Sequence, residues 1–146
     1  MTCLTLIKAA LKKPMGAIFG SLLETQPVER HSTKYGDELW PSKDYPTYVS
    51  GGGFLMNRKA ALALQYYIKI TPKINIDDAF IGVLMARAGM GHQLFRDTRF
   101  HSWGFKPYYE KQFDVCEIDK VIYFHKFMPK EMSCFWPKFL KSRSVA

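Results

Sequence analysis

Two adjacent carboxylates, Asp77 and Asp78, are the residues best suited to proton-transfer chemistry in this sequence. They stand before a run with the apolar spacing of a helix, which places them in a first helical turn. There a carboxylate can cap free N–H groups and gains from the helix dipole. The same place can hold a carboxylate fixed and ionised, as a general base must be to take a proton from a hydroxyl. Both roles are open, one for each residue.

Three consecutive glycines, Gly51, Gly52 and Gly53, form the second unusual segment. Glycines weaken a strand, permit a positive φ and let a ligand approach the backbone closely. A tight turn or a bulge is the simpler interpretation, because no Walker-type lysine or GxGxxG spacing indicates a phosphate-binding loop. A role in ligand binding therefore stays open at this segment.

A single histidine, His125, ends a strand pattern and precedes a polar turn. An imidazole in such a place meets solvent or a metal ion. A histidine without further ligands is more often structural, and His31, His92 and His101 show no ligand spacing with it. The residues alone thus leave the role of His125 open.

Apolar spacing predicts the helices that must position these residues. Four segments have helical spacing, and Asn57 is a candidate cap for the second. The last segment contains Pro137, which predicts a kink or an early stop there. The predicted helices are residues 4–11, 58–71, 77–89 and 129–140.

Short apolar runs bounded by turn residues predict buried strands. After the first strand, residues 24–45 are polar and include Pro27 and Pro41, which predicts a long loop or ribbon across an active-site face. Trp40 in this loop either covers the core or stacks on a ligand. The predicted strands are residues 17–23, 92–95 and 121–124.

The predicted helices and strands, with no repeat or linker between them, indicate one compact α/β unit over residues 1–146, and the composition agrees. Hydrophobic residues make up 47% of the chain and charged residues 23%, as in a globular protein with a single core. The net charge of +8 favours polyanionic partners, but no nucleic-acid-binding motif accompanies it, so a basic nucleic-acid-binding module is a minor alternative. No apolar stretch approaches the roughly 20 residues of a membrane span.

Several motifs, taken in order, resemble family 31 glycosyltransferases of the β-1,3-galactosyltransferase and β-1,3-N-acetylglucosaminyltransferase kind. The most specific are a YP-x-Y-x-SGGG block that begins at Tyr45 and a DD-x-x-x-G block that begins at Asp77. The likeness extends from about Lys8 to Phe139. Supporting motifs are Lys34 with Tyr35, Asp114 with Cys116, the segment from Val121 to His125, and Trp136.

The resemblance implies a GT-A-type fold, with a mixed sheet and flanking helices. In such an enzyme a divalent metal, expected to be Mn²⁺, holds a UDP-sugar, and a hydroxyl of a glycan or glycoprotein acceptor attacks the anomeric carbon with inversion. The metal neutralises the charge that accumulates on the departing UDP. The implied activity is that of a β-1,3-hexosyltransferase on the lumenal side of the Golgi membrane.

The resemblance also implies roles for individual residues, by alignment with the family's motifs. Asp78 is implied as the general base, supported by Asp77, and His125 as a metal ligand. The implied substrate-binding residues are Lys34, Tyr48, Ser50, Gly51, Gly52 and Gly53.

The Asp-x-Asp motif of the family does not occur in this chain. The expectation is a C-terminal half-domain, without the N-terminal nucleotide-binding part and the membrane anchor of its relatives. Without the carboxylates that should hold metal and diphosphate, these 146 residues alone are expected to show no measurable sugar transfer. A non-catalytic glycan- or partner-binding remnant of such an enzyme is the main alternative.

Overall fold

A computed structural model describes residues 3–31, 34–38, 40–102, 121–125 and 129–143. Helices and two small β-sheets alternate through these ranges, which confirms the predicted mixed α/β class. Asp114 and Cys116, which belong to the family-like motifs, lie outside the described residues. Among the helices in these ranges, none has the length and apolar character needed to cross a membrane.

The larger sheet consists of β1 (Ile18–Leu23), β2 (Tyr48–Met56) and β3 (Leu94–Arg96), in the order β2-β1-β3. β1 is antiparallel to β2 and parallel to β3, so the sheet is mixed, as the resemblance implied. The prediction of a strand over residues 17–23 is confirmed by β1. The strand predicted over residues 92–95 is displaced, because a short 3-10 turn occupies Gly91–Gln93.

A second sheet pairs β4 (Phe100–His101) and β5 (Tyr123–Phe124) in parallel. β5 is the short form of the strand predicted over residues 121–124. A two-stranded sheet is marginally stable by itself, so this one depends on contacts with the rest of the domain.

The glycine run lies inside β2 and not in a tight turn. The pairing register of β1 and β2 shifts between Gly20 and Leu22, so that residues 50–53 stand opposite Ser21 alone. Extra residues on one strand of an antiparallel pair form a bulge, one of the two simpler interpretations of the sequence. Among the described glycines, the positive φ falls at Gly89.

The four predicted helices are present, and the second ends earlier than expected. Of the kink and the early stop predicted as alternatives at Pro137, the early stop does not occur, because the last helix continues to Arg143. Proline removes one backbone donor, while the ring of Phe139 contacts Phe135 and Trp136 at centroid distances of 6.0 and 5.4 Å across that point. The helices are α1 (Cys3–Leu11), α2 (Arg58–Tyr67), α3 (Asp77–Arg87) and α4 (Pro129–Arg143).

Asn57 caps α2 as predicted and also joins it to two neighbouring elements. Its Oδ1 accepts hydrogen bonds from the backbone N–H groups of Ala60 and Ala17, both at 3.0 Å. Its Nδ2 donates to the carbonyl oxygens of Ala10 and Met15 at 3.2 and 3.1 Å. This buried amide thus uses both donors and its acceptor, and it fixes α1, β1 and α2 relative to one another.

Buried clusters lie on both faces of the larger sheet. Ile18, Val49 and Leu84 belong to one buried cluster, which joins the sheet to α2 and α3. Leu6 of α1 and Phe19 belong to a second cluster. Because successive side chains of a strand point to opposite faces, Ile18 and Phe19 place these clusters on the two sides of β1, and the sheet forms a rigid support.

Candidate functional site

Helix α3 presents the two aspartates in its first turn. Its N-cap residue is Ile76, whose side chain makes no capping bond, so the prediction of an aspartate as the cap is corrected. The Asp78 N–H donates to Asp77 Oδ1 at 2.9 Å, and the Ala79 N–H donates to Asp78 Oδ1 at 3.0 Å. Both carboxylates therefore satisfy first-turn N–H groups from within the helix, where the dipole also favours negative charge.

The second carboxylate oxygen of Asp78 is bound by a different element. The Gly51 N–H of β2 donates to Asp78 Oδ2 at 2.8 Å. A Cβ at residue 51 would come within 3.1 Å of the Asp78 Cβ and 3.3 Å of Oδ2, so glycine permits this close approach. Asp78 is thus held between α3 and β2.

One cleft of about 380 Å³ gathers residues that are distant in sequence. It lies where β1, β4 and β5 end and the antiparallel β2 begins, the kind of sheet edge at which open α/β domains bind ligands. The predicted site residues Tyr48, Ser50, Asp78 and His125 line it together. Its other lining residues are Leu23, Gln26, Pro27, Glu29, Tyr35, Tyr45, Ile76 and Ser102.

Tyrosine rings form a wall of this cleft. Tyr48 is buried and meets Tyr45 edge-on, with ring centroids 6.4 Å apart, while Tyr35 is exposed. Burial, together with the nearby Asp78 carboxylate, raises the pKa of Tyr48 to about 12. The Tyr48 phenol therefore stays protonated at physiological pH and keeps its donor. Aromatic walls with a few polar groups are typical of ligand sites.

Asp37 secures the loop that carries Tyr45. Its buried carboxylate accepts hydrogen bonds from the Trp40 backbone N–H at 3.1 Å and from the Tyr45 hydroxyl at 3.3 Å. Burial, followed by the Asp37 charge, raises the pKa of Tyr45 to about 12. Trp40 packs on Tyr45 and donates its indole N–H to the Asp44 carbonyl at 3.0 Å. Trp40 therefore covers the core, one of its two interpretations.

Gly52 and Gly53 contact the ring of Tyr123. A Cβ at Gly52 would overlap the Tyr123 hydroxyl, and a Cβ at Gly53 would lie 2.8 Å from a ring carbon. Neither glycine is among the residues that line the cleft. Their contact with a sugar stays a prediction, and the structure supplies another reason for two glycines here, because any side chain would displace Tyr123.

His125 directly follows β5. Its Nδ1 lies 3.2 Å from the carbonyl oxygen of Ser102. Because a carbonyl only accepts, a hydrogen bond here requires the proton on Nδ1, and in the neutral imidazole Nε2 then has the lone pair that a metal ion needs. Nε2 of His125 could therefore occupy one position in the coordination shell of a metal ion. Within the described ranges no group of three or more His, Cys, Asp or Glu residues could hold a metal ion.

Lys34 and Asp77 lie outside the lining of the cleft. The Nζ of Lys34 is 4.8 Å from the ring centroid of Tyr35, and a hydrogen bond with Tyr35 raises the pKa of Lys34. The Asp77 side chain is exposed and bonds within its own helix. The substrate-binding role of Lys34 and the supporting role of Asp77 therefore stay predictions.

Sequence reasoning missed Tyr45, Glu29 and Ser102 as cleft residues. Tyr45 carried a usable signal, because it opens the same block that contains Tyr48. Glu29 and Ser102 stand in segments without a motif. They reach the cleft only because the loop after β1 and the end of β4 meet at the same sheet edge.

The fold and the cleft define a mixed α/β domain whose site combines a fixed carboxylate, an imidazole and an aromatic wall. The family model described as galactosyltransferase matches residues 3–96, which include Tyr48, the glycine bulge and Asp78. A human acetylgalactosaminyl-O-glycosyl-glycoprotein beta-1,3-N-acetylglucosaminyltransferase is 35% identical over 123 residues, which cover 80% of this chain and 31% of the relative. The chain belongs to the galactosyltransferase family.

Two further relatives have related names. The beta-1,3-galactosyltransferase brn of Drosophila melanogaster is 29% identical over 120 residues, which cover 80% of this chain and 35% of that protein. The human N-acetyllactosaminide beta-1,3-N-acetylglucosaminyltransferase 3 is 28% identical over 112 residues, covering 75% and 30% respectively. The chain thus spans about a third of the length of these relatives. Their names agree on a β-1,3 transfer and differ in the sugar.

Proposed function

We propose that this chain carries the acceptor site and the general base of an inverting β-1,3-hexosyltransferase, which moves a sugar from a UDP-sugar to a glycan hydroxyl. The observation that carries the proposal is Asp78, held by N–H groups of α3 and β2 in a cleft of about 380 Å³. That volume lies within the usual range of small-ligand sites. The β-1,3-transferase names of the relatives support the reaction class.

Asp78 acts as the general base in this proposal. Its bonds to the N–H groups of Ala79 and Gly51 use one lone pair on each oxygen, which leaves another for an acceptor hydroxyl. The carboxylate takes the hydroxyl proton while the acceptor oxygen bonds to the anomeric carbon. The bond from that carbon to the UDP oxygen breaks on the opposite face, and the configuration inverts. Asp77 supports Asp78 by accepting its N–H.

His125 is the residue proposed to bind Mn²⁺. The bond from its Nδ1 to Ser102 fixes the tautomer and directs Nε2 to act as the ligand. When bound, the metal neutralises the charge of the departing diphosphate. The proposal includes the lumenal side of the Golgi membrane as the compartment, and the family resemblance is its support.

Binding of an acceptor by the 146-residue chain tests the site directly. Tyr35 is the exposed ring of the aromatic wall, and an aromatic contact is worth about 0.5–1.5 kcal/mol. Tyr35→Ala is therefore expected to weaken binding roughly 2- to 10-fold. The measurement is calorimetric titration with a threonine glycopeptide that carries O-linked N-acetylgalactosamine, and with N-acetyllactosamine.

Tyr66→Ala is the matched control, because Tyr66 is an exposed tyrosine of α2 outside the cleft lining. It is expected to leave both titrations unchanged. Equal weakening by the two substitutions would contradict a specific role for the cleft. Absence of saturable binding by the unsubstituted chain would contradict the acceptor site itself.

His125→Ala tests the metal role in an extended chain that carries an Asp-x-Asp motif. Loss of a ligand is expected to raise the Mn²⁺ concentration for half-maximal activity at least about tenfold, since even outer-shell changes have effects of that order. Excess Mn²⁺ should recover part of the activity. His92→Ala, at an exposed site outside the cleft lining, serves as the control. An unchanged Mn²⁺ dependence would make His125 a structural residue.

A further inference from the structure

The small sheet that carries His125 is attached to the larger sheet by a hydroxyl pair. Ser102, which directly follows β4, is buried, and its Oγ donates a hydrogen bond to the Oγ of Ser21 in β1 at 2.7 Å. Ser21 is also the residue opposite the glycine bulge of β2. The bond therefore joins the two sheets at the edge where the cleft lies.

Ser102 contacts the imidazole through its backbone. Its carbonyl oxygen accepts the hydrogen bond from His125 Nδ1, and the His125 N–H donates to the neighbouring His101 carbonyl at 2.9 Å. The hydroxyl of Ser102 is thus bound to β1 while its carbonyl is bound to the ring. A displacement of Ser102 would move the acceptor that sets the tautomer of His125.

Tyr123 provides a second restraint on the same strand. Its ring occupies the space that side chains at Gly52 and Gly53 would fill. It also stacks on the ring of His125, with centroids 6.1 Å apart and planes inclined by 27°. The glycine bulge therefore lets Tyr123 of β5 pack directly on β2, and this packing limits the positions that the His125 ring can take.

We infer that Ser21, Ser102 and Tyr123 are positioning residues, which hold His125 with Nδ1 protonated and Nε2 available at the cleft. Ser21 and Ser102 act as a pair through the hydrogen bond between their hydroxyls, and Tyr123 acts through the packing of its ring on Gly52 and Gly53. The inference rests on the proposed role of His125 as a ligand, although the orientation of the ring can be measured without metal or substrate.

The test uses ¹⁵N chemical shifts of the His125 ring in the metal-free 146-residue chain, at alkaline pH where histidine is neutral. The unsubstituted chain is expected to show the Nδ1-protonated tautomer. Ser21→Ala and Ser102→Ala are each expected to shift the ring toward the other tautomer. The tautomer shift in the double variant should be no larger than in either single variant, because the effects of two residues that act through one shared bond are not additive.

Ser21→Thr, which keeps the hydroxyl, is expected to show the same His125 tautomer as the unsubstituted chain. Ser133→Ala removes another bonded hydroxyl, on α4, and should change nothing at His125. Gly52→Ala displaces Tyr123 and is expected to shift the ring independently of the serines. An unchanged tautomer in all of these folded variants, as judged by circular dichroism, overturns the inference.

A second readout connects the inference to the metal. In an extended chain with an Asp-x-Asp motif, Ser21→Ala is expected to raise the Mn²⁺ concentration for half-maximal activity roughly tenfold. That is the lower end of the range for residues that hydrogen-bond a metal ligand. At saturating Mn²⁺, kcat should equal that of the unsubstituted extended chain. Failure of the unsubstituted extended chain to transfer any sugar would contradict the proposed function and leave the tautomer result intact. A normal tautomer in Ser21→Ala and Ser102→Ala would contradict the serine pair alone.

Discussion

Replacing Asp78 by asparagine is expected to lower kcat about 10²- to 10⁴-fold, the usual contribution of a general base. Asparagine keeps the shape of the side chain but cannot take a proton from the acceptor hydroxyl. The measurement is steady-state transfer from a UDP-sugar in an extended chain with an Asp-x-Asp motif. Donor binding should change little, so the loss should appear in kcat and in kcat/KM alike.

The structure adds a stability cost to this substitution. Asp78 accepts from Ala79 through one oxygen and from Gly51 through the other, whereas an asparagine side chain has one oxygen and presents N–H groups in place of the second. One of the two backbone donors therefore loses its partner, and the free energy of unfolding should fall by about 1–3 kcal/mol. Rates must accordingly be compared per folded molecule, with unfolding in urea measured beside them.

Asp77→Asn is the matched control. Its Oδ1 accepts from the Asp78 N–H, a bond that an amide oxygen can keep, so the expected loss of stability is limited to the dipole contribution of about 0.3–1 kcal/mol. Its kcat should stay near that of the unsubstituted enzyme. The reverse pattern would move the base to Asp77. Near-normal kcat in both variants would mean that the pair only anchors the start of α3.

Replacing Gly82 by alanine is expected to lower the free energy of unfolding of the 146-residue chain by about 1–3 kcal/mol. A Cβ there would come within 2.6 Å of the Tyr48 Cβ and 2.8 Å of the Thr47 carbonyl oxygen. Helix propensity alone favours alanine by about 1 kcal/mol. The sign of the change therefore shows whether the packing of α3 on β2 outweighs propensity, and urea unfolding measures it.

Gly91→Ala is the control for this experiment, because its added Cβ would meet only Ala86, at 3.9 Å. Its effect should stay within about 0.5 kcal/mol. Gly82→Ala should also speed hydrogen exchange of the Gly51 N–H, since separating α3 from β2 weakens the bond to Asp78. A more stable Gly82→Ala variant with an unchanged Gly51 exchange rate would refute the close contact.

Local elements were the part of the fold that the sequence predicted well. The helix beginning at Asp77 and the Asn57 cap follow from side-chain chemistry and apolar spacing within about a dozen residues. The same reasoning allowed an early stop at Pro137, but a single lost donor does not end a helix whose aromatic rings meet across it. It also left a turn and a bulge open for the glycines, since no local pattern shows which strand will face them.

The sequence by itself determined the α/β class, the main elements and, through the order of its motifs, the family. The tertiary structure decided which of these residues meet. Asp78 accepts a hydrogen bond from Gly51, 27 residues away in sequence, and Ser102 donates one to Ser21, 81 residues away. Contacts of this kind depend on strand register and on the packing of α3, which burial of the whole core sets rather than any local preference. For that reason the motifs named Tyr48, Ser50, Asp78 and His125 in the cleft. The contact of Tyr123 with the two glycines and the serine pair behind His125 emerged only from the folded chain.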